Sequence, residues 1–163
     1  MPIKSFRGKL ADGAIQTISL HTNTGAKGYR IVKMNLFAAK PGAASQESIV
    51  KIFKIPQSTA DGEVDFSDNT LIAAGYLLNH LTATDNPAYM YTLFDNETFN
   101  QDIYITHSEV KNSEEINYYI ELETVNLSLD ENTVATLKDI RNIKSNPQWR
   151  RLSNIIWINQ QCC

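Results

Sequence analysis

The sequence predicts a mainly β protein, a jelly-roll-like antiparallel β-sandwich followed by one short C-terminal helix and an extended apolar tail. Two runs carry the prediction most directly. In FDNETFNQDIYITHSEV, Ile103, Ile105 and His107 alternate with Tyr104 and Thr106, and in INYYIELETVNL, Tyr118, Ile120 and Leu122 alternate with Tyr119, Glu121 and Glu123. Period-two alternation of this kind marks antiparallel strands with one buried face. Turn-forming clusters then recur at short spacing along the first 129 residues, as a sandwich or jelly roll requires. Beyond them the period becomes helical: Asp130 can cap a helix carrying Val134, Leu137 and Ile140, with Lys138, Arg141 and Lys144 toward its end. The chain divides accordingly into a β-sandwich over 1–129, a helix over 130–145 and an arm over 146–163.

Taken in order, FRGKL and AIQTISL flank Ala11-Asp12-Gly13, and an Asp-Gly turn between alternating runs predicts a tight hairpin. Ile15 faces outward, while Ile18 and Leu20 share the core face across a local irregularity. After the turn residues 23–28 comes YRIVKMNLFA, with Tyr29, Ile31 and Phe37 on one face and Arg30, Val32, Met34 and Leu36 on the other. Apolar residues on both faces predict a central or doubly covered strand. SIVKIFKI follows and ends at Pro56; residues 57–69 read as an exposed loop pinned by Phe66. LIAAGYLLNHL, 71–81, has helical propensity but a central Gly75, and is read as a strand. YMYTLF, 89–94, alternates into the run already described. The polar KNSEE segment predicts a hairpin connection between the last two strands, and the shift of the apolar set to Val125, Leu127 and Leu129 predicts a bulge, or a strand that turns a corner, near Thr124.

Bulk properties narrow the function. The 163 residues suit one domain, and 42% hydrophobic with 20% charged residues is ordinary globular composition. A net charge of −3 gives no basic footprint for nucleic acid. No apolar run reaches a membrane span, and MPIKSFRGKL lacks a signal-peptide core, so the expectation is a protein made and kept in a cytoplasm, with neither nucleic-acid nor membrane partners. Cys162 and Cys163 are adjacent and terminal, and read as reduced thiols without a structural or metal role.

No catalytic machinery stands out. His21, His80 and His107 fall in different elements without metal-ligand spacing and read as surface or strand-edge residues; no metal or other cofactor is expected. GxSxG, Walker-type and GxGxxG motifs are missing. Glu121 and Glu123 share a strand face, which could mimic a glycosidase carboxylate pair, yet alternation on an exposed strand produces such pairs by itself. Asp61, Glu63, Asp65 and Asp68 lack EF-hand spacing and read as solvated loop acids. Tyr76, Tyr89, Tyr91, Tyr104, Tyr118 and Tyr119 suit strand packing and also suit a sugar-binding platform. The tail holds both tryptophans. Trp149, Leu152, Ile155, Ile156 and Trp157 are the candidate partner-binding residues, since so apolar a segment either folds back on its own domain or grips a neighbouring subunit.

At GKLADG, GYRIVK, FDN with FNQDIY, and NYYIELE through TVATLKDIRN, the chain resembles a family of small virion structural proteins of marine tailed phages. The resemblance covers residues 5–143, and the FNQDIY turn and the NYYIELE strand are its most specific pieces. It implies a β-sandwich particle component without enzymatic activity, made in the host bacterial cytoplasm and located in the virion. As a capsid decoration or cement subunit such a protein would bridge the major capsid protein or other virion proteins, and would itself form an oligomer, a trimer being one option. A tail-associated fibre, adaptor or receptor- or glycan-binding module is the alternative. The segment 143–163 looks like an extension of the family pattern.

Overall fold

A computed structural model describes residues 2–20, 26–42, 45–79, 89–128 and Thr133. They form eight strands: β1 (Ile3–Leu10), β2 (Ile15–Ile18), β3 (Lys27–Ala38), β4 (Gln46–Phe53), β5 (Leu71–Asn79), β6 (Tyr89–Phe94), β7 (Ile103–Glu109) and β8 (Ile116–Asn126). Two antiparallel sheets result, one ordered β1-β8-β3 and the other β2-β7-β4-β5-β6. The expected helix over 130–145 and the arm over 146–163 lie outside the described residues, apart from Thr133, which is helical.

One buried core joins the two sheets. Ile116, Tyr118, Ile120 and Leu122 of β8 meet Ile103 and Ile105 of β7 and Val50 and Ile52 of β4. Each such aliphatic side chain contributes roughly 1.5–3 kcal/mol relative to exposure, so β8 and β7 hold the fold together. The 71–79 segment is the strand its central glycine favoured. Gly75 lies where a Cβ would come within 2.7 Å of Leu36 Cδ1 and 3.0 Å of Met34 Cε, so its missing side chain lets β5 approach β3 of the opposite sheet.

Several local expectations fail, and the failures share a cause. The Asp12-Gly13 turn does not close a hairpin: β1 pairs with β8 and β2 with β7, so the turn carries the chain from one sheet to the other. Its geometry is still that of a tight turn, with Ala14 N–H donating to Ala11 O at 3.1 Å and Gly13 at φ 74°. Likewise the KNSEE segment joins β7 to β8 across sheets, because each strand already has its partners elsewhere. A turn motif fixes local chain reversal, and long-range pairing decides which sheet receives the next strand.

β3 is an edge strand, and it is covered on one face only. A register shift between Ile31 and Lys33 inserts Val32 as an extra residue. Tyr29 and Ile31 point inward before it and Met34, Leu36 and Ala38 after it, while Phe37 is left 65% exposed. The irregularity expected in β8 near Thr124 is not there: β8 alternates without interruption through Thr124, which pairs in register with Tyr29, and the bulge of this strand pair lies in β3, opposite Glu121 and Leu122. Phe66 does not pin its loop; it is 69% exposed. Lys51 does so instead, its buried ammonium donating to Asp61 Oδ1 at 2.6 Å and to Glu63 O at 2.7 Å.

Candidate functional site

Two regions concentrate functional chemistry, one sealed and one open. The sealed region begins at His107, which is fully buried, contrary to the surface or strand-edge position its isolation in the sequence suggests. Its Nδ1 lies 2.9 Å from Ala11 O and its Nε2 3.0 Å from Ser48 Oγ. A carbonyl can only accept, so Nδ1 carries the proton and Ser48 donates to Nε2. Ser48 Oγ in turn accepts from Gln46 Nε2 at 2.8 Å, and Gln46 also donates to Glu115 O at 3.0 Å. A serine bonded to a histidine has the outline of a nucleophile and its base. Here both are at 0% exposure and the third partner is a backbone carbonyl, so the pair ties the β1–β2 turn to β4 and β7.

Glu109 extends this seam to the end of β7. Its carboxylate accepts backbone N–H groups from Glu47 at 2.9 Å, from Lys111 at 3.0 Å and from Asn112, while Asp12 Oδ1 accepts from the Glu109 N–H at 2.8 Å. Burial alone would raise its pKa, but the bonds from Glu47, Asn112, Lys111 and Ser113 outweigh it and hold the carboxyl below its ordinary range. Ser113 takes a positive φ of 53° where the chain wraps around that carboxylate.

The open region is β6. Tyr89, Tyr91 and Leu93 face away from the core, and Met90 and Phe94 face the side that β3 only partly covers. Tyr91 is 63% and Leu93 60% exposed. The Tyr89 and Tyr91 rings are nearly parallel, 9° apart in plane with centroids 6.4 Å apart. Directly across from Tyr91, Tyr76 is half-buried and donates to Glu47 Oε1 at 3.1 Å; burial first, then that carboxylate, raises its pKa. Leu36 N–H of β3 meets Met90 Sδ at 3.4 Å, so β6 touches the edge of the other sheet without joining it.

Beside Leu93 and Phe94 opens a cleft of about 740 Å³ lined by Phe66, Asp68, Asn69, Asp95 and the Lys54–Glu97 pair. Lys54 is buried and its ammonium lies 2.9 Å from Glu97. Asp68 is already engaged by Thr70 N–H and Oγ1 at 2.8 and 2.7 Å. Asn69 and Asp95 are thus the cleft's polar side chains without a partner among the described residues. The combination of aromatic faces with a few convergent polar groups is suited to binding.

The other sequence candidates disperse. Glu123 pairs with Arg30, and Glu121 accepts from Tyr119 at 2.8 Å and lies 3.7 Å from Lys33, so each carboxylate faces a cation on an open sheet face. Asp61 bonds to Lys51, whose hydrogen bond lowers its pKa, and Asp65 caps Ser67. Among the described residues, no three His, Cys, Asp or Glu side chains gather as metal ligands. Tyr118 is buried, and Tyr104 and Tyr119 are half-buried. His21, His80, Cys162, Cys163 and the arm residues Trp149, Leu152, Ile155, Ile156 and Trp157 lie outside the described residues. Of the tyrosines suited to a sugar platform, the structure leaves only Tyr89 and Tyr91 exposed among the described residues, and Met90, Leu93 and Phe94 of the same strand join them as a surface the sequence did not single out. The available signal was YMYTLF itself, six uncharged residues apolar on both faces.

Compared with protein-family models and with curated proteins, the chain matches none.

Proposed function

We propose that the chain is a non-enzymatic structural component of a phage particle, a jelly-roll-like sandwich that serves as a capsid decoration or cement subunit bridging neighbouring virion proteins. The observation that carries an assembly role is β6, where Tyr89, Met90, Tyr91, Leu93 and Phe94 all stay exposed on a strand that ends its sheet. A contiguous apolar patch of this kind marks a surface meant to be covered. The jelly-roll reading is supported by the pairing of first strand with eighth, second with seventh and fourth with fifth, while the third approaches the sixth at Met90. The viral assignment rests on the resemblance of FNQDIY and NYYIELE, with the major capsid protein or another virion protein as partner. Mass spectrometry and a cryo-EM map of purified particles test it. Expected is density on the head at symmetry-related sites contacting the major capsid protein; absence of the chain from particles overturns the viral role.

A second reading, a tail-associated receptor- or glycan-binding module, is favoured by the exposed parallel rings of Tyr89 and Tyr91 beside the polar cleft. Stacking of pyranose faces on tyrosine suits neutral glycans. Glycan binding that Tyr91→Ala abolishes, together with density in the tail, would select it.

A further inference from the structure

We infer that β6 pairs with β6 of a second copy, antiparallel across a two-fold axis centred on Tyr91, so that the two five-stranded sheets become one. The inference rests on the reading of β6 as an assembly surface and names its partner. It begins from a contrast among the four sheet edges. Exposed edges invite pairing, and proteins blunt them with charge, bulges or shortness. β1 carries Lys4, Arg7 and Lys9 in eight residues. β3 carries Lys27, Arg30 and Lys33 and is bulged at Val32. β2 is only four residues long. β6 has none of these devices: it is regular against β5, uncharged, and without Gly or Pro.

Self-pairing follows from the strand's own pattern. Residues opposite one another in an antiparallel ladder share a face, so a two-fold that keeps the outer residues together must pair odd numbers with odd. Centred on Tyr91, it sets Tyr91 against its own copy, Tyr89 against Leu93 and Met90 against Thr92. Aromatic–aromatic and aromatic–aliphatic cross-strand pairs are favourable, and no like charges meet. A charged foreign strand would leave its charges over this apolar surface, whereas a second copy does not. The covered area is modest: at 150–250 Å² per aromatic side chain, partial cover of the five exposed residues comes to about 500 Å² per protomer, below the roughly 800 Å² of a standard interface. The dimer is therefore concentration-dependent in solution and reinforced by multiplicity on an assembled particle.

Sedimentation analysis of the full chain across concentration, with Cys162 and Cys163 replaced by serine, is the first test. Expected is a monomer–dimer equilibrium that Tyr91→Lys shifts at least tenfold toward monomer with an unchanged circular dichroism spectrum. Cysteine cross-linking then reads the register. Tyr91→Cys should form a covalent dimer under mild oxidation, as should a mixture of the Tyr89→Cys and Leu93→Cys proteins, whereas Tyr89→Cys alone and the β1-edge control Ile3→Cys should not. A monomer at every concentration overturns the proposal, as does a dimer indifferent to Tyr91→Lys or one lost on deleting residues 144–163. The two readings fail separately. If the chain is monomeric but Tyr91→Lys weakens its binding to purified particles, self-pairing is wrong and the assembly role stands; if it dimerises in this register but occurs on no particle, the reverse holds.

Discussion

β7 and β6 belong to the same sheet and have opposite fates. IYITHSE, the more polar of the two, is buried except at Tyr104 and Ser108, while YMYTLF, almost wholly apolar, is exposed at five of six positions. Composition does not rank them; position does. β7 lies between β2 and β4 and beneath β8, so its polar groups had to find partners inside the protein: His107 with Ala11 and Ser48, Glu109 with the loop amides. β6 lies at the rim of the three-stranded sheet and meets it where Leu36 N–H of β3 reaches Met90 Sδ, so most of its apolar surface stays uncovered. The interior is bought with hydrogen bonds and the exterior is left for other molecules.

The sharpest way to break this contrast is at His107. His107→Ala should cost about 3 kcal/mol, combining a cavity with the stranded Ala11 carbonyl and Ser48 hydroxyl. Tyr91→Lys, by the same denaturation measurement, should change stability by less than about 0.5 kcal/mol. Equal losses at the two sites would mean that β6 is as much a part of the core as β7.

Next in size is the Glu109 carboxylate, which sharpens the contrast through pH. Its folded-state pKa lies below the ordinary 4.5, so its contribution is fully present above 4.5 and is lost as pH falls through the folded value. Wild-type chain should thus exceed Glu109→Gln in stability by about 2 kcal/mol near neutrality, since bonds to a charged acceptor are the strong ones. The gap should close in acid, and a constant gap from neutral to acid denaturation curves would show that the loop amides do not select the ionised form. Asp61 and Asp65 also titrate low, but as exposed loop groups they add little to this dependence.

The division between what the sequence disclosed and what it withheld follows from the range of the forces involved. Alternation in β8 and β7, the strand at 71–79 and the inward Ile18 and Leu20 were legible because burial of one face writes itself into neighbouring residues. The Asp12-Gly13 and KNSEE connections were misread because a chain reversal looks the same whether the next strand pairs back or crosses to the other sheet. Val32 hid the edge character of β3, since one inserted residue exchanges its faces and makes a one-sided strand look apolar on both. His107 looked isolated because its partners Ala11 and Ser48 are 96 and 59 residues away in sequence. β6 was recognisable as a strand, but its place at the edge depends on all the other pairings.

The smallest effect tests the rule that β7 satisfies what it buries. Thr106 is buried on the face of β7 that carries Tyr104, between Ile15 of β2 and Lys51 of β4, and its hydroxyl has no hydrogen-bond partner among the described residues. It is the exception on this strand. Thr106→Val removes a desolvated hydroxyl while keeping the branched shape, so it should leave stability unchanged or raise it by up to about 1 kcal/mol. Ser48→Ala, which deletes a hydroxyl of similar burial that bonds to both His107 and Gln46, should lower stability by about 1–2 kcal/mol in the same thermal melts. A neutral or stabilising effect at Thr106 beside a loss at Ser48 of β4 would establish that β7 and its neighbour tolerate burial of polar atoms in proportion to their partners. A loss at Thr106 as large as that at Ser48 would mean instead that packing around the strand, more than hydrogen bonding, decides what it can hold.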